Sequence, residues 1–234
     1  RSGYNKKEKW QVCNLPRGIM KSICLIGKGP SAVHANQFVD KSDDVAVIND
    51  AGLLVDGEIK YAFSSHDCDY LKTTYSRILF TVSPLNTKYP NNPVWFNGSI
   101  PEWWDRSRHI TYEERSCGGS YDILSSRMIS GGICHHATAS GAIHWLCKVA
   151  KYEKIRIIGI DGGSEYAPAV QLKSITCEDH KRASEAGEQW RRECMKPDFM
   201  TDWKVITERV AHLCEKVYGT TFEWFLRTGS RYNN

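Results

Sequence analysis

The sequence predicts an α/β fold: a Rossmann-like, mostly parallel sheet flanked by helices, carrying an irregular Pro- and Trp-rich insertion. Three observations predict it. Short apolar runs of strand length recur along the chain and end in glycine or polar residues. Stretches of helical period alternate with them in the second half. The chain has 234 residues, 41% hydrophobic and 25% charged, an ordinary globular balance. That length suits one domain over 1–234, enough to bury a sizeable core.

Residues 1–21 are polar and basic and read as a short leader or a first helix. Residues 22–27 are a buried parallel strand running into a tight turn. Pro30 then suits a first helical position and Ser31 offers a hydroxyl there, so a short helix through about Phe38 is expected. Residues 44–50 form a second strand ending in Asn49 and Asp50. Residues 61–67 repeat the pattern, ending in Ser64, Ser65, His66 and Asp67, and residues 76–83 give a fourth run. Ligands of open α/β sheets bind at the carboxyl ends of the strands, so these ends point to one crevice.

Residues 84–127 differ. They hold Pro84, Pro90, Pro93 and Pro101, half of the 8 prolines, with Trp95, Trp103 and Trp104. The stretch is too long for an ordinary connection. It reads either as a lid that sets acceptor specificity or as a cap over the sheet edge. Regularity returns with a helix from about Cys134 to Ala150 and a strand ending at Asp161. A charged helical stretch over 178–195 follows, then an amphipathic helix over 201–217. Gly219 stops that helix before a final strand at 220–225.

The formal charge of +4, from 31 basic and 27 acidic residues, permits an anionic substrate without requiring nucleic acid. The 9 cysteines include no CxxC pair. That disfavours a zinc ribbon or thioredoxin-type site and fits buried thiols in a reducing compartment. The first twenty residues lack an apolar core of the signal-peptide kind, and no apolar run approaches a membrane span. A cytoplasmic location is therefore expected; the oligomeric state is not legible.

The leading motif is Gly27-Lys28-Gly29-Pro30-Ser31. Glycines after a strand let the backbone approach a phosphate, and Lys28 adds a positive charge. The spacing is neither a Walker A loop nor GxGxxG, since Ala32 takes the third glycine position. A plain strand-to-helix turn is the alternative. Asn49 and Asp50 offer hydrogen bonds to a ribose or base. His66 beside Asp67 offers an oriented base, or is simply part of a surface turn. Ser130 and Gly131 open a second turn suited to a nucleotide. Asp161 ends a buried strand before two glycines, as a substrate or metal contact or as a cap of the next turn. His135, His136 and His144 lack zinc-site spacing, and HExxH is absent, so no metal site is expected.

Taken together, G-x-G-P-S after a strand, a strand ending in Asn, S-G before a long helix, and a strand ending G-I-D resemble a bacterial sialyltransferase family with a single Rossmann domain. The order is also similar to related flagellin-modifying and hydroxymethylpterin diphosphokinase-like proteins. The resemblance covers roughly 22–80 and 126–226. It implies a nucleotide-sugar or nucleotide site in which Gly27, Gly29 and Ser31 cradle phosphate. Asn49 and Ser65 would contact the sugar or nucleoside, Ser130 and Gly131 the nucleotide, and Asp161 the ribose or donor. Tyr166 partly represents the tyrosines used near the donor phosphate. The family has Asn where Lys28 stands here. It places a general-base His shortly before the C-terminal helix, where residues 196–202 hold none; His180 is the upstream substitute.

The function expected is transfer of a group, a sugar, from a nucleotide-activated donor to a hydroxyl of a glycan, protein or modified DNA. Asp161, His66 or His180 would take the proton. The nucleotide sugar is a co-substrate, and no metal is expected because no DxD-type motif is present. Two rivals stand beside this. One is an ATP-dependent diphosphokinase of a small heterocyclic alcohol, with magnesium held by Asp50 and Asp161. The other is a non-catalytic nucleotide-binding protein.

Overall fold

The computed structural model describes residues 20–64, 68–84, 101–115, 133–134, 138–162, 166–170 and 197–225. Seven strands form one sheet: β1 (Ser22–Ile26), β2 (Asp44–Ile48), β3 (Ile59–Phe63), β4 (Ile78–Pro84), β5 (His109–Tyr112), β8 (Lys154–Ile158) and β9 (Thr221–Trp224). Their order is β5-β4-β3-β2-β1-β8-β9, and every neighbouring pair is parallel. A separate two-residue ladder joins β6 (Glu114–Arg115) to β7 (Ile133–Cys134). The chain therefore builds outward from β1 to β5 and later returns to the other side of β1. The reversal lies between β1 and β8, where a doubly wound sheet opens its crevice.

Alternation along the strands sends side chains to two cores. Ile23 and Leu25 of β1, Ile48, Phe63, Val82, Ile155 and Ile157 pack beneath two helices, α2 (Thr138–Lys148) and α3 (Pro197–Tyr218). These helices supply Ile143, Trp145, Leu146, Val210 and Cys214. On the opposite face Cys24, Ile26, Val45, Val47, Ala62 and Ile158 meet Ala32, Ala51, Leu71, Tyr75 and Trp104. Among the described residues, 3-10 turns cover that face, at Pro30–His34, Asn49–Leu54 and Cys68–Arg77, beside one turn of α-helix, α1 (Ala35–Phe38). Each fully buried Ile or Leu contributes about 1.5–3 kcal/mol, so the two cores stabilise the sheet jointly.

Several boundaries differ from those expected. Asn49 and Asp50 lie past the end of β2, in a 3-10 turn that Asn49 enters at φ 53°. The helix expected from Cys134 begins at Thr138, because Ile133 and Cys134 pair with Glu114 and Arg115 instead. It ends at Lys148 rather than Ala150. The helix expected over 201–217 starts earlier, at Pro197, a residue whose fixed φ suits a first turn. It stops before Gly219, at φ 72°. Part of the Pro- and Trp-rich stretch is regular: β5 adds an edge strand, and Trp104 is buried against Tyr75 with rings 5.2 Å apart. Over 101–112 this stretch thus supplies an edge strand and a tryptophan packed on the sheet face. The helical stretch expected over 178–195 lies outside the described residues.

Cys24, Cys147 and Cys214 are buried free thiols. Burial, reinforced by the nearby Asp43 charge, pushes the Cys24 thiol up to about 12, so it stays protonated. Among the described residues no helix is long and apolar enough to cross a membrane.

His144 of α2 is fully buried, and its Nε2 lies 3.0 Å from Tyr218 Oη of α3. Burial, with Lys148 nearby, lowers its pKa from 6.5 to about 3. The fold thus favours the neutral ring. Its contribution is fully present above pH 6.5 and is lost as pH falls from 6.5 towards 3. At roughly 1.4 kcal/mol per pH unit, we expect about 2 kcal/mol to be gone by about pH 5, before most carboxylates titrate. Thermal unfolding of wild type and His144→Gln at pH 7.5 and pH 5 checks this: the variant should lose distinctly less between the two. Equal losses would show that protonating this ring costs the fold nothing.

Candidate functional site

The turns that leave β1 and β8 cross at the sheet's reversal point. Gly27 N–H donates to Ile158 O and Gly29 N–H to Gly159 O, both at 2.8 Å. Ser31 N–H donates to Asp161 Oδ2 at 2.8 Å, and Gly159 N–H donates to Ser31 Oγ at 2.9 Å. Four of the residues expected at the site, Gly27, Gly29, Ser31 and Asp161, are thereby brought together.

Their arrangement gives the glycines a different reason from phosphate approach. A Cβ on Gly27 would stand 2.3 Å from Gly159 O, and one on Gly29 would stand 2.4 Å from Asp161 Oδ2. The two turns need bare backbone to pass each other. The N–H groups of Gly29 and Ser31 are also already engaged, the second by a carboxylate placed where an anion would bind a helix start.

Lys28 reaches sideways from the same turn. Its Nζ lies 3.2 Å from Asp50 Oδ1, an ion contact without hydrogen-bond geometry, and 4.5 Å from the centre of the Tyr166 ring. Its carbonyl accepts from Ala167 N–H at 2.8 Å, which docks the segment after Asp161 onto the turn. Asp50 is only 2% exposed, yet among the described residues neither of its carboxylate oxygens has a hydrogen-bond partner. The amide oxygen of the neighbouring Asn49 and the hydroxyl of Ser64, at the end of β3, are buried and unbonded as well. Buried acceptors almost always find donors. Four unbonded oxygens on three residues, at the carboxyl ends of adjacent strands, are an acceptor-rich lining suited to a ligand that brings O–H and N–H groups.

Ser65, His66, Ser130, Gly131 and His180 lie outside the described residues. Sequence reasoning missed Gly159, whose signal was its place after the apolar run of β8, and chose Ser65 from the polar cluster in which Ser64 is the described hydroxyl. It also passed over His109, which sits in the stretch read as irregular. Among the described residues no group of three or more His, Cys, Asp or Glu could hold a metal ion.

No family model matches the chain, and no curated protein gives a significant match. A solved structure of the apo form of an alpha-2,3-sialyltransferase from Campylobacter jejuni aligns with 91% of this chain and 77% of its own, at 12% identity and a TM-score of 0.38. The likeness is a weak one of overall arrangement. A functional reading rests on the residues of this site.

Proposed function

We propose that the chain is a transferase that moves a sugar from a nucleotide-activated donor to a hydroxyl acceptor. The observation that carries this is Asp50: a buried carboxylate with both oxygens unbonded, beside Lys28, at the reversal point of a parallel sheet. Ribose hydroxyls or the N–H groups of a base satisfy Asp50 and Asn49, since each supplies a hydrogen-bond donor where the described residues supply none. The donor phosphate draws on the Lys28 ammonium, which stabilises the charge that grows on the leaving nucleotide. Asp161 holds the turn to β8 and so fixes where Lys28 projects.

From β1 to β4 the sheet edge spans roughly 14 Å, at ~4.8 Å per strand. An extended nucleotide sugar fits along that edge with its nucleoside at Asn49–Asp50 and its sugar towards β4.

Calorimetric titration with the nucleoside mono- and diphosphates of all common bases, followed by incubation with the matching nucleotide sugars, tests the reading. We expect one base to bind at micromolar Kd and its sugar donor to be consumed faster when an acceptor is present. Failure to bind any nucleotide would sink the proposal. Magnesium-dependent consumption of ATP, with no use of sugar donors, would favour diphosphate transfer in its place.

A further inference from the structure

We infer that His109 receives the acceptor's proton, by way of Ser83, with Thr81 fixing the ring; this rests on the group-transfer reading above. His109 opens β5 opposite Thr81. Its Nδ1 lies 2.8 Å from Thr81 Oγ1 and its Nε2 3.1 Å from Ser83 Oγ. Two residues apart on one strand, these hydroxyls share a face. Each residue is 1% exposed, and Trp104 packs against the imidazole at 5.3 Å between ring centres. Both nitrogens are therefore directed, and the ring plane is held. With Nδ1–H donating to Thr81, the Nε2 lone pair faces Ser83, whose hydroxyl has two acceptors in reach, Nε2 and Pro84 O at 3.3 Å.

Ser64 supplies the independent observation. Its N–H donates to Val82 O at 3.1 Å, so the β3–β4 ladder continues one step and sets Ser64 beside Ser83. Strand alternation puts Ser64 on the face of Ala62, the neighbour of Thr81, which is the face of Ser83. The Ser64 hydroxyl is buried with no hydrogen-bond partner. An acceptor hydroxyl seated between Ser64 and Ser83 satisfies it.

The step balances. The acceptor oxygen bonds to the anomeric carbon of the sugar as that carbon's bond to the phosphate oxygen breaks, and the electron pair leaves with the nucleotide. The acceptor's proton passes to Ser83 Oγ while the Ser83 proton passes to His109 Nε2, leaving an imidazolium and a neutral serine. β4 faces the ring with hydroxyls, which carry no charge. On the segment before β5, the Arg108 guanidinium is held away over the Tyr75 ring at 4.3 Å and by a hydrogen bond to Ile78 O at 2.7 Å; it also pairs with Asp105 at 3.5 Å.

The test uses the full chain, with the nucleotide and sugar donor that the titration panel selects. For His109→Gln we expect a nucleotide Kd within threefold of wild type, kcat down by roughly 10²-fold or more, and loss of the acidic limb of the kcat–pH profile. Ser83→Ala should behave alike. It removes a single hydroxyl, so it carries the test should the histidine variant lose its fold. Thr81→Val should shift the pH limb with a smaller fall in kcat, and Ser64→Ala should raise the acceptor KM alone. Turnover of His109→Gln or Ser83→Ala within threefold of wild type, with an unmoved pH profile, overturns this inference and leaves the transferase reading standing. A wild-type chain that binds no nucleotide overturns that reading itself.

Discussion

Gly159→Ala is expected to lower the melting temperature by roughly 6–20 °C. The residue leaves β8 at φ 78°, and a Cβ there would stand 2.5 Å from Gly27 O and 2.8 Å from Ala32 Cβ. Left-handed backbone costs an L-residue roughly 1–2 kcal/mol. The overlap falls on backbone and on a buried methyl that has no room to retreat, so it adds a comparable amount or more. A total of about 3–5 kcal/mol takes a large part of a typical stability of 5–15 kcal/mol, at roughly 2–4 °C per kcal/mol for a chain of this size. Gly57 is the control. It has φ 80° but nothing within 4 Å of its added Cβ. Gly57→Ala should therefore incur only the backbone cost, about 1–2 kcal/mol. Thermal unfolding of both variants by circular dichroism measures the difference. Equal, small losses would mean that the two turns do not pass as closely as described.

Asp50→Asn is expected to separate binding from stability. The carboxylate makes no hydrogen bond among the described residues, so its isosteric amide gives up none there. Removing the charge also relieves the desolvation of a buried anion, against the loss of the Lys28 ion contact at 3.2 Å. These two changes oppose each other, and we expect the melting temperature to stay within a few degrees of wild type. Binding behaves differently. Ligand donors that meet a carboxylate gain about 1.5–3 kcal/mol each relative to an unmade bond, so the nucleotide Kd should rise by roughly 10–100-fold. Calorimetry of wild type and Asp50→Asn under the same salt measures it. An unchanged Kd would place the nucleotide away from Asn49 and Asp50 and would remove the main support for the proposed site.

The main sheet was legible wherever apolar runs of five or so residues ended in glycine or a polar residue. β1, β2, β3, β4 and β8 carry that signal, because a parallel strand flanked on both sides is largely apolar; β9 is an edge strand, placed by the glycine that stops the helix before it. β5 was not legible. His109, Ile110, Thr111 and Tyr112 lie among prolines, tryptophans and charges, and an edge strand needs only one neighbour and less apolar length. A cap was one of the two readings of this stretch, but the packing of Trp104 on Tyr75 was not legible, since no local pattern encodes it. At the site, Gly27, Gly29, Ser31 and Asp161 were correctly seen as converging. Their contacts with one another could not be read, since Ser31 and Asp161 meet across 130 positions of sequence. Glycines that serve crossing backbones and glycines that admit phosphate look alike in a string of letters. The unbonded state of Asp50 and Ser64 belongs to packing, and no spacing rule reports it.

That 130-residue separation also orders the making of the protein. During synthesis β1 to β4 emerge early and can pair with near neighbours, but the other side of β1 stays open until β8 is complete. Until then the central strand presents the bare edge that invites pairing with a second chain. Closing so long a loop is slow compared with joining adjacent strands. The crevice is thus among the last parts to take shape, and a nascent chain short of Lys154 has neither the turn lock nor a protected β1.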